Sequence, residues 1–221
     1  YLELANAFTA LNNPEGVLRT WKNADIVLEN NVLVKNYLLF PYGNDLSRYR
    51  NEVNLLVEEL IALTENDPIS KAYFLALKSV LFIDTYTAQE AYPLINEAIS
   101  LAPYSEFFIV RAMVGLYSSD AAQNRAHNDN LQAIIDDLDL ALQSGDRLRD
   151  IYFLKALAYN QFGKHLQACE TINSVKNIMS INFTKKEVEQ FCDFNKNKKD
   201  DRTINFHFIL SNYEMYLETM K

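Results

Sequence analysis

One interval recurs through this chain and limits what it can become. Tyr1, Leu4, Ala5 and Phe8 are followed, nine residues after Phe8, by Val17 and then Trp21 and Ala24. Leu75, Ser79 and Phe82 are followed at the same distance by Ala91, Ile95, Ala98 and Pro103, and Tyr152, Ala156 and Tyr159 by Ala168, Ile172 and Val175. Two-helix units nest against one another only when large side chains meet small ones at fixed positions. An interval kept three times therefore implies one supersecondary unit used repeatedly. Such a construction implies a surface for binding but names no partner.

Composition agrees with helices. Five Gly and five Pro in 221 residues argue against an all-β chain of tight turns, and 49% hydrophobic residues suffice for a core. A formal charge of -8 opposes the electrostatic attraction behind non-specific nucleic-acid binding, so no nucleic-acid partner is expected. No apolar run reaches the ~18 to 20 residues of a membrane helix, so no membrane span is expected. Cys169 and Cys192 show no CxxC spacing and no context that demands a disulfide, which favours a reducing, cytoplasmic location, with Cys169 packed as a small hydrophobe. The chain opens at Tyr1 already inside a helix pattern and so reads as a fragment, which keeps a periplasmic or other compartment open. A single sequon, Asn182-Phe183-Thr184, carries little weight.

The recurring residues resemble the tetratricopeptide repeat, whose first helix carries aromatic, Leu, small and Tyr positions and whose second carries Ala, a bulky residue, Ala and often Pro. The run from Tyr152 to Ala168 is the best local match and includes Gly163 at the turn, and Asp136 to Ala141 looks like a second helix. The closing residues Ala24, Leu63, Ala98, Ala141 and Val175 are separated by 39, 35, 43 and 34 residues. Two of these intervals sit on the ~34-residue period, and two need insertions. The first insertion is expected at Pro41 to Asp45, followed by a long helix over Leu46 to Thr64. The second is expected as a polar loop over Ser118 to Asp129, and the register of the helix before it, Phe107 to Tyr117, stays open.

The resemblance implies an all-α fold, a right-handed superhelix of antiparallel hairpins over about 1–31, 32–68, 69–103, 104–146 and 147–180. Residues 181–221 would form a C-terminal helical cap with a charged connector at 195–202. Thr184, with Glu187 three residues on, predicts a capped short helix to Phe194. Thr203 to Met220 carries Ile204, Phe206, Phe208, Ile209, Leu210, Tyr213, Tyr216 and Leu217, too apolar to be left bare. It must cap the last repeat, fold into the groove or meet another molecule.

The chain holds no phosphate loop, HExxH or GxSxG, so no enzyme, cofactor or metal site is expected. His127, His165 and His207 read as a loop, a turn and a helix residue. Asp136, Asp137 and Asp139 read as a solvated outer face, since adjacent helical carboxylates diverge. Trp21 reads as core packing.

In a tetratricopeptide array, one stripe of the first helices lines the concave side. Here that stripe is Leu2, Asn6 and Thr9, then Tyr73, Ala76 and Val80, then Asp150, Phe153, Leu157 and Asn160. Chaperone-binding members of the family grip a peptide carboxylate with Lys, Asn and Arg. The matching positions are Leu2, Tyr73, Leu77, Asp150 and Leu154, with only Asn6 kept, so an acidic chaperone tail is not the expected ligand. The resemblance implies a protein-binding scaffold or adaptor whose groove takes an apolar or amphipathic peptide, with Tyr73, Phe153, Asn6 and Asn160 as anchors. Docking of the chain's own helix 203–220 in that groove explains the same stripe. The rival reading is a regulatory receptor that senses a peptide or small effector and controls a domain outside this chain.

Overall fold

The computed structural model describes residues 1–83, 88–117, 128–145, 147–175, 177–178, 181–193 and 206–220. These residues form twelve helices and no strand: α1 (Leu2–Ala10), α2 (Pro14–Val27), α3 (Val32–Gly43), α4 (Leu46–Leu63), α5 (Pro68–Ile83) and α6 (Ala88–Leu101), then α7 (Ser105–Tyr117), α8 (Asn128–Leu142), α9 (Leu148–Gln161), α10 (His165–Val175), α11 (Lys185–Cys192) and α12 (Phe206–Thr219). The all-α class is therefore observed. The second expected insertion, 118–129, falls mostly outside the described residues, as do His127 and the connector 195–202.

Local sequence explains why the helices begin where they do. The Asn13 side chain accepts from the Gly16 amide at 2.9 Å and Pro14 opens α2, Asn31 accepts from Val34 at 3.0 Å, and Asp67 accepts from Ser70 at 3.2 Å. Each supplies an acceptor for one of the amides that a first turn leaves unbonded. Thr184 and Glu187 form the reciprocal capping box expected of them, with Thr184 N–H donating to Glu187 Oε2 at 2.8 Å and Glu187 N–H to Thr184 Oγ1 at 3.3 Å. Gly163 makes the turn after α9 at φ +74, a left-handed conformation that favours glycine. Gly16 serves a different need: a Cβ there would stand 2.6 Å from the Phe8 ring, so only glycine lets α1 and α2 approach this closely.

At Pro41 to Asp45, where the first insertion is expected, one helix passes almost directly into the next. α3 runs through Pro41 to Gly43, and Asp45 is already the N-cap of α4, its carboxylate accepting from Arg48 N–H at 3.3 Å. Proline is tolerated because it sits in the last turn, where only the Tyr37 carbonyl loses its i+4 donor. The long helix expected next is present as Leu46–Leu63, with a non-helical backbone at Tyr49.

The chain divides into two compact units: residues 1–78 with 206–221, and residues 79–205. In the first unit α2 packs on α1 and α3, and α3 on α4. Ala5, Ala24, Leu38, Leu39, Val53, Val57 and Leu60 fill its interior. Lys35 is almost fully buried, with Glu59 at 2.7 Å and Asp25 at 3.1 Å. Burial acts to lower its pKa, but the hydrogen bond to Glu59 and the Asp25 carboxylate outweigh this and raise it. The apolar C-terminal segment folds into this unit as α12, packed on α3. Ile209, Leu210 and Tyr213 are buried, and the Tyr213 hydroxyl lies 3.0 Å from Ser70 Oγ.

In the second unit the small positions of the repeat lie at helix contacts. Ser79, Ala91, Ala98, Ala156 and Ala168 are wholly buried. The Ser79 hydroxyl donates to the Ala91 carbonyl at 3.1 Å, so a small residue here contributes a hydrogen bond as well as room. α7 packs on α8, α9 on α10, and α11 on α10. Cys169 of α10 and Cys192 of α11 are joined by a disulfide. Cys169 is half-buried rather than a packed hydrophobe, and the ground on which a reducing, cytoplasmic location was preferred is removed.

Candidate functional site

The expected groove residues have different surroundings, taken unit by unit. In the first unit Tyr73 is buried against α12, its ring centroid 5.2 Å from that of Tyr213 and 5.9 Å from that of Tyr216, and Ala76 is wholly buried. In the second unit Val80 and Leu157 are buried, and Phe153 is covered by α11, edge-to-face with Phe191 at 5.2 Å. Asp150 lies 3.7 Å from Arg149 and 3.8 Å from Arg147, and Asn160 Oδ1 lies 2.6 Å from His165 Nδ1. The two aromatic anchors thus face the chain's own C-terminal helices. Docking of helix 203–220 was the alternative that the sequence left open for this stripe; cover from the 185–192 helix was not among the expectations.

Leu2 and Asn6 have a different setting. They share a cleft of about 530 Å³ in the first unit with Ala5 and Thr9 of α1, Asn12, Asn13 and Pro14 of the α1–α2 turn, Val17 and Trp21 of α2, Tyr37, Phe40 and Pro41 of α3, Asn44, and Glu214 of α12. Trp21 and Tyr37 stack at 4.7 Å with an interplanar angle of 14° and form an aromatic wall. Trp21 is therefore core and cleft wall at once. Thr9 returns its hydroxyl to the Ala5 carbonyl at 3.0 Å, and Asn13 caps α2. The side chains of Asn6, Asn12 and Asn44 make no hydrogen bond within the described residues.

Glu214 is half-buried at this cleft and forms no ion pair or hydrogen bond within the described residues. Burial, and then the neighbouring Glu218 carboxylate, push its pKa above the usual carboxylate value. No Lys or Arg is among the residues lining the cleft. The pattern of the first helices pointed to Leu2, Asn6 and Thr9 but missed Asn12, Asn44 and Glu214. The missing signal was partly legible: Asn12 and Asn13 adjoin a helix-starting Pro14, and Glu214 is an acid set within an apolar helix.

The second unit holds charges of another kind. Arg111 grips Asp137 side-on, donating from Nε and Nη2 at 2.9 and 2.6 Å, and its Nη1 donates to Asn96 Oδ1 at 2.9 Å. Asp137 is buried, so it is corrected from the solvated face assigned to the acidic cluster, although Asp136 and Asp139 are exposed. The hydrogen bond to Asp137 raises the pKa of Arg111. Arg149 of α9 pairs with Glu187 of α11. Among the described residues there is no group of three His, Cys, Asp or Glu side chains able to hold a metal ion, and no helix long and apolar enough to cross a membrane.

No family model matches this chain, and no curated protein does. Solved structures do resemble it. "MamA 41-end from Desulfovibrio magneticus RS-1" superposes with a TM-score of 0.62 at 14% identity, covering 83% of this chain and 96% of that one. "Crystal structure of MamA protein" gives a TM-score of 0.58 at 15% identity, covering 90% of this chain and 96% of that one. At such identity the likeness shows the fold, an all-α helical array of tetratricopeptide-like type.

Proposed function

We propose that this chain is a degenerate tetratricopeptide-repeat protein that acts as a non-catalytic scaffold, holding a peptide segment of a partner protein in the cleft of its first unit. The repeat units are hairpins 1–31, 32–68, 69–103, 104–146 and 147–180. The observation that carries the reading is the cleft itself. An aromatic wall stands beside three side-chain amides, Asn6, Asn12 and Asn44, that have no partner among the described residues. An extended peptide presents backbone N–H and C=O groups that side-chain amides can satisfy, while an apolar side chain seats on the ring stack. The tetratricopeptide-like fold of the MamA structures supports a repeat frame but not a ligand. Of the expected groove residues, Leu2, Asn6 and Thr9 line the cleft.

The test is a randomised heptapeptide library panned on the full chain and on the Asn6→Ala/Asn44→Ala variant. Both asparagines are exposed, so the variant should melt with the parent. Selected peptides should bind it about tenfold more weakly, corresponding to about 1.4 kcal/mol. Equal affinity for parent and variant would reject the cleft as the docking site.

A further inference from the structure

We infer that the cleft selects a peptide carrying a cationic side chain, Lys or Arg, whose charge is received by Glu214 while its aliphatic stem lies against Trp21 and Tyr37. The inference rests on the docking reading above and adds the chemistry of the ligand. Three observations support it. Glu214 lies half-buried at the cleft, with no cation or hydrogen-bond donor bound to it within the described residues. An ionised carboxylate held partly out of water gains from a counter-charge, and none of the residues lining the cleft supplies one. Burial, and then the Glu218 carboxylate, raise its pKa, so its charged form is disfavoured where it stands.

The walls fit a long basic side chain better than a small cation. Trp21 and Tyr37 present stacked rings, which pack against the methylenes of Lys or the guanidinium plane of Arg. Asn6 and Asn44 offer amides to the backbone that carries such a side chain. The net charge of -8 favours approach of a basic segment over long range. This is the reverse of the carboxylate grip that the family resemblance brings to mind, because the cationic clamp positions are occupied here by Leu2, Tyr73, Leu77, Asp150 and Leu154.

A positional-scanning heptapeptide library on the full chain tests this, with one position fixed in turn as Arg, Lys, citrulline, Leu or Glu. Pools fixed as Arg or Lys at one position should bind at least tenfold more tightly than the citrulline pool, which keeps shape and loses charge. Glu214→Gln should erase that preference while leaving the circular dichroism melt unchanged. Pools that bind without regard to charge would overturn this inference and leave the docking reading standing. Binding by no pool would overturn both. N-acetyl-arginine amide binding as tightly as the best Arg pool would overturn the peptide as ligand.

Discussion

The two units of the chain treat their polar groups in opposite ways. In residues 79–205, Arg111 is matched to Asp137 and Asn96, Arg149 to Glu187, Lys155 to Asp139, and Cys169 is bonded to Cys192. In residues 1–78 with 206–221, Lys35, Lys71 and Lys78 are paired, but among the described residues Glu214 and three asparagine amides at the cleft have no partner, and neither polar side-chain atom of fully buried Asn36 makes a hydrogen bond. Matched groups fix one arrangement of helices; unmatched groups are open to something from outside. The difference is what supports the proposal of a docking cleft in the first unit, with the second as a braced frame.

The largest expected effect tests the bracing. Arg111→Ala would strand a buried carboxylate and should destabilise the protein by about 3 to 4 kcal/mol in urea unfolding, whereas Arg111→Met with Asp137→Leu should recover most of that loss. If Arg111→Ala is neutral, the pair is ornamental and the contrast between units weakens. Next comes the cross-link. Cys169→Ser with Cys192→Ser opens a covalent loop of sequence separation 23, and loop-closure entropy predicts a loss of about 3 kcal/mol. Reductant added to the parent should shift its urea midpoint equally, and a parent indifferent to reductant would show that α11 is held by Phe191 and Glu187 alone.

These charges also show what the sequence disclosed and what it withheld. The nine-residue interval between large and small residues reflects helix-to-helix contact, a local property repeated along the chain, so the all-α repeat fold was legible. Ala91, Ala98, Ala156 and Ala168, singled out by spacing, are wholly buried. The Thr184 capping box was legible for the same reason, because its two residues lie one turn apart. Arg111 with Asp137 was not, since 26 residues separate them and an acidic run on one helix looks solvated. Its one clue was a lone cation inside the apolar run Phe107 to Tyr117. Tyr73 and Phe153 were expected as groove anchors, but both are buried, and what covers them depends on where distant C-terminal helices return. The disulfide shares that difficulty: two unspaced cysteines say nothing until α10 and α11 are side by side.

The smallest expected effect sharpens the picture of α12, which carries Glu214. Tyr213 is 1% exposed and packs its ring on Tyr73 and Phe74, at 5.2 and 4.7 Å, and burial pushes its phenol up from 10.0 to about 12. The rise comes first from burial, while the hydrogen bond with Ser70 works against it. Between these two values the unfolded chain has released the proton and the folded chain has kept it, so stability is full below pH 10 and falls as pH rises toward 12. The fall should reach about 2 kcal/mol near the upper limit. Tyr213→Phe keeps the ring contacts and loses the hydroxyl, which should lower stability at neutral pH by about 1 kcal/mol and flatten the alkaline decline. Urea midpoints of both proteins, taken between neutral pH and the alkaline limit, check this. Parallel decline in the two would mean that the Tyr213 hydroxyl meets water, that α12 does not seal this part of the unit, and that Glu214 loses its fixed place at the cleft.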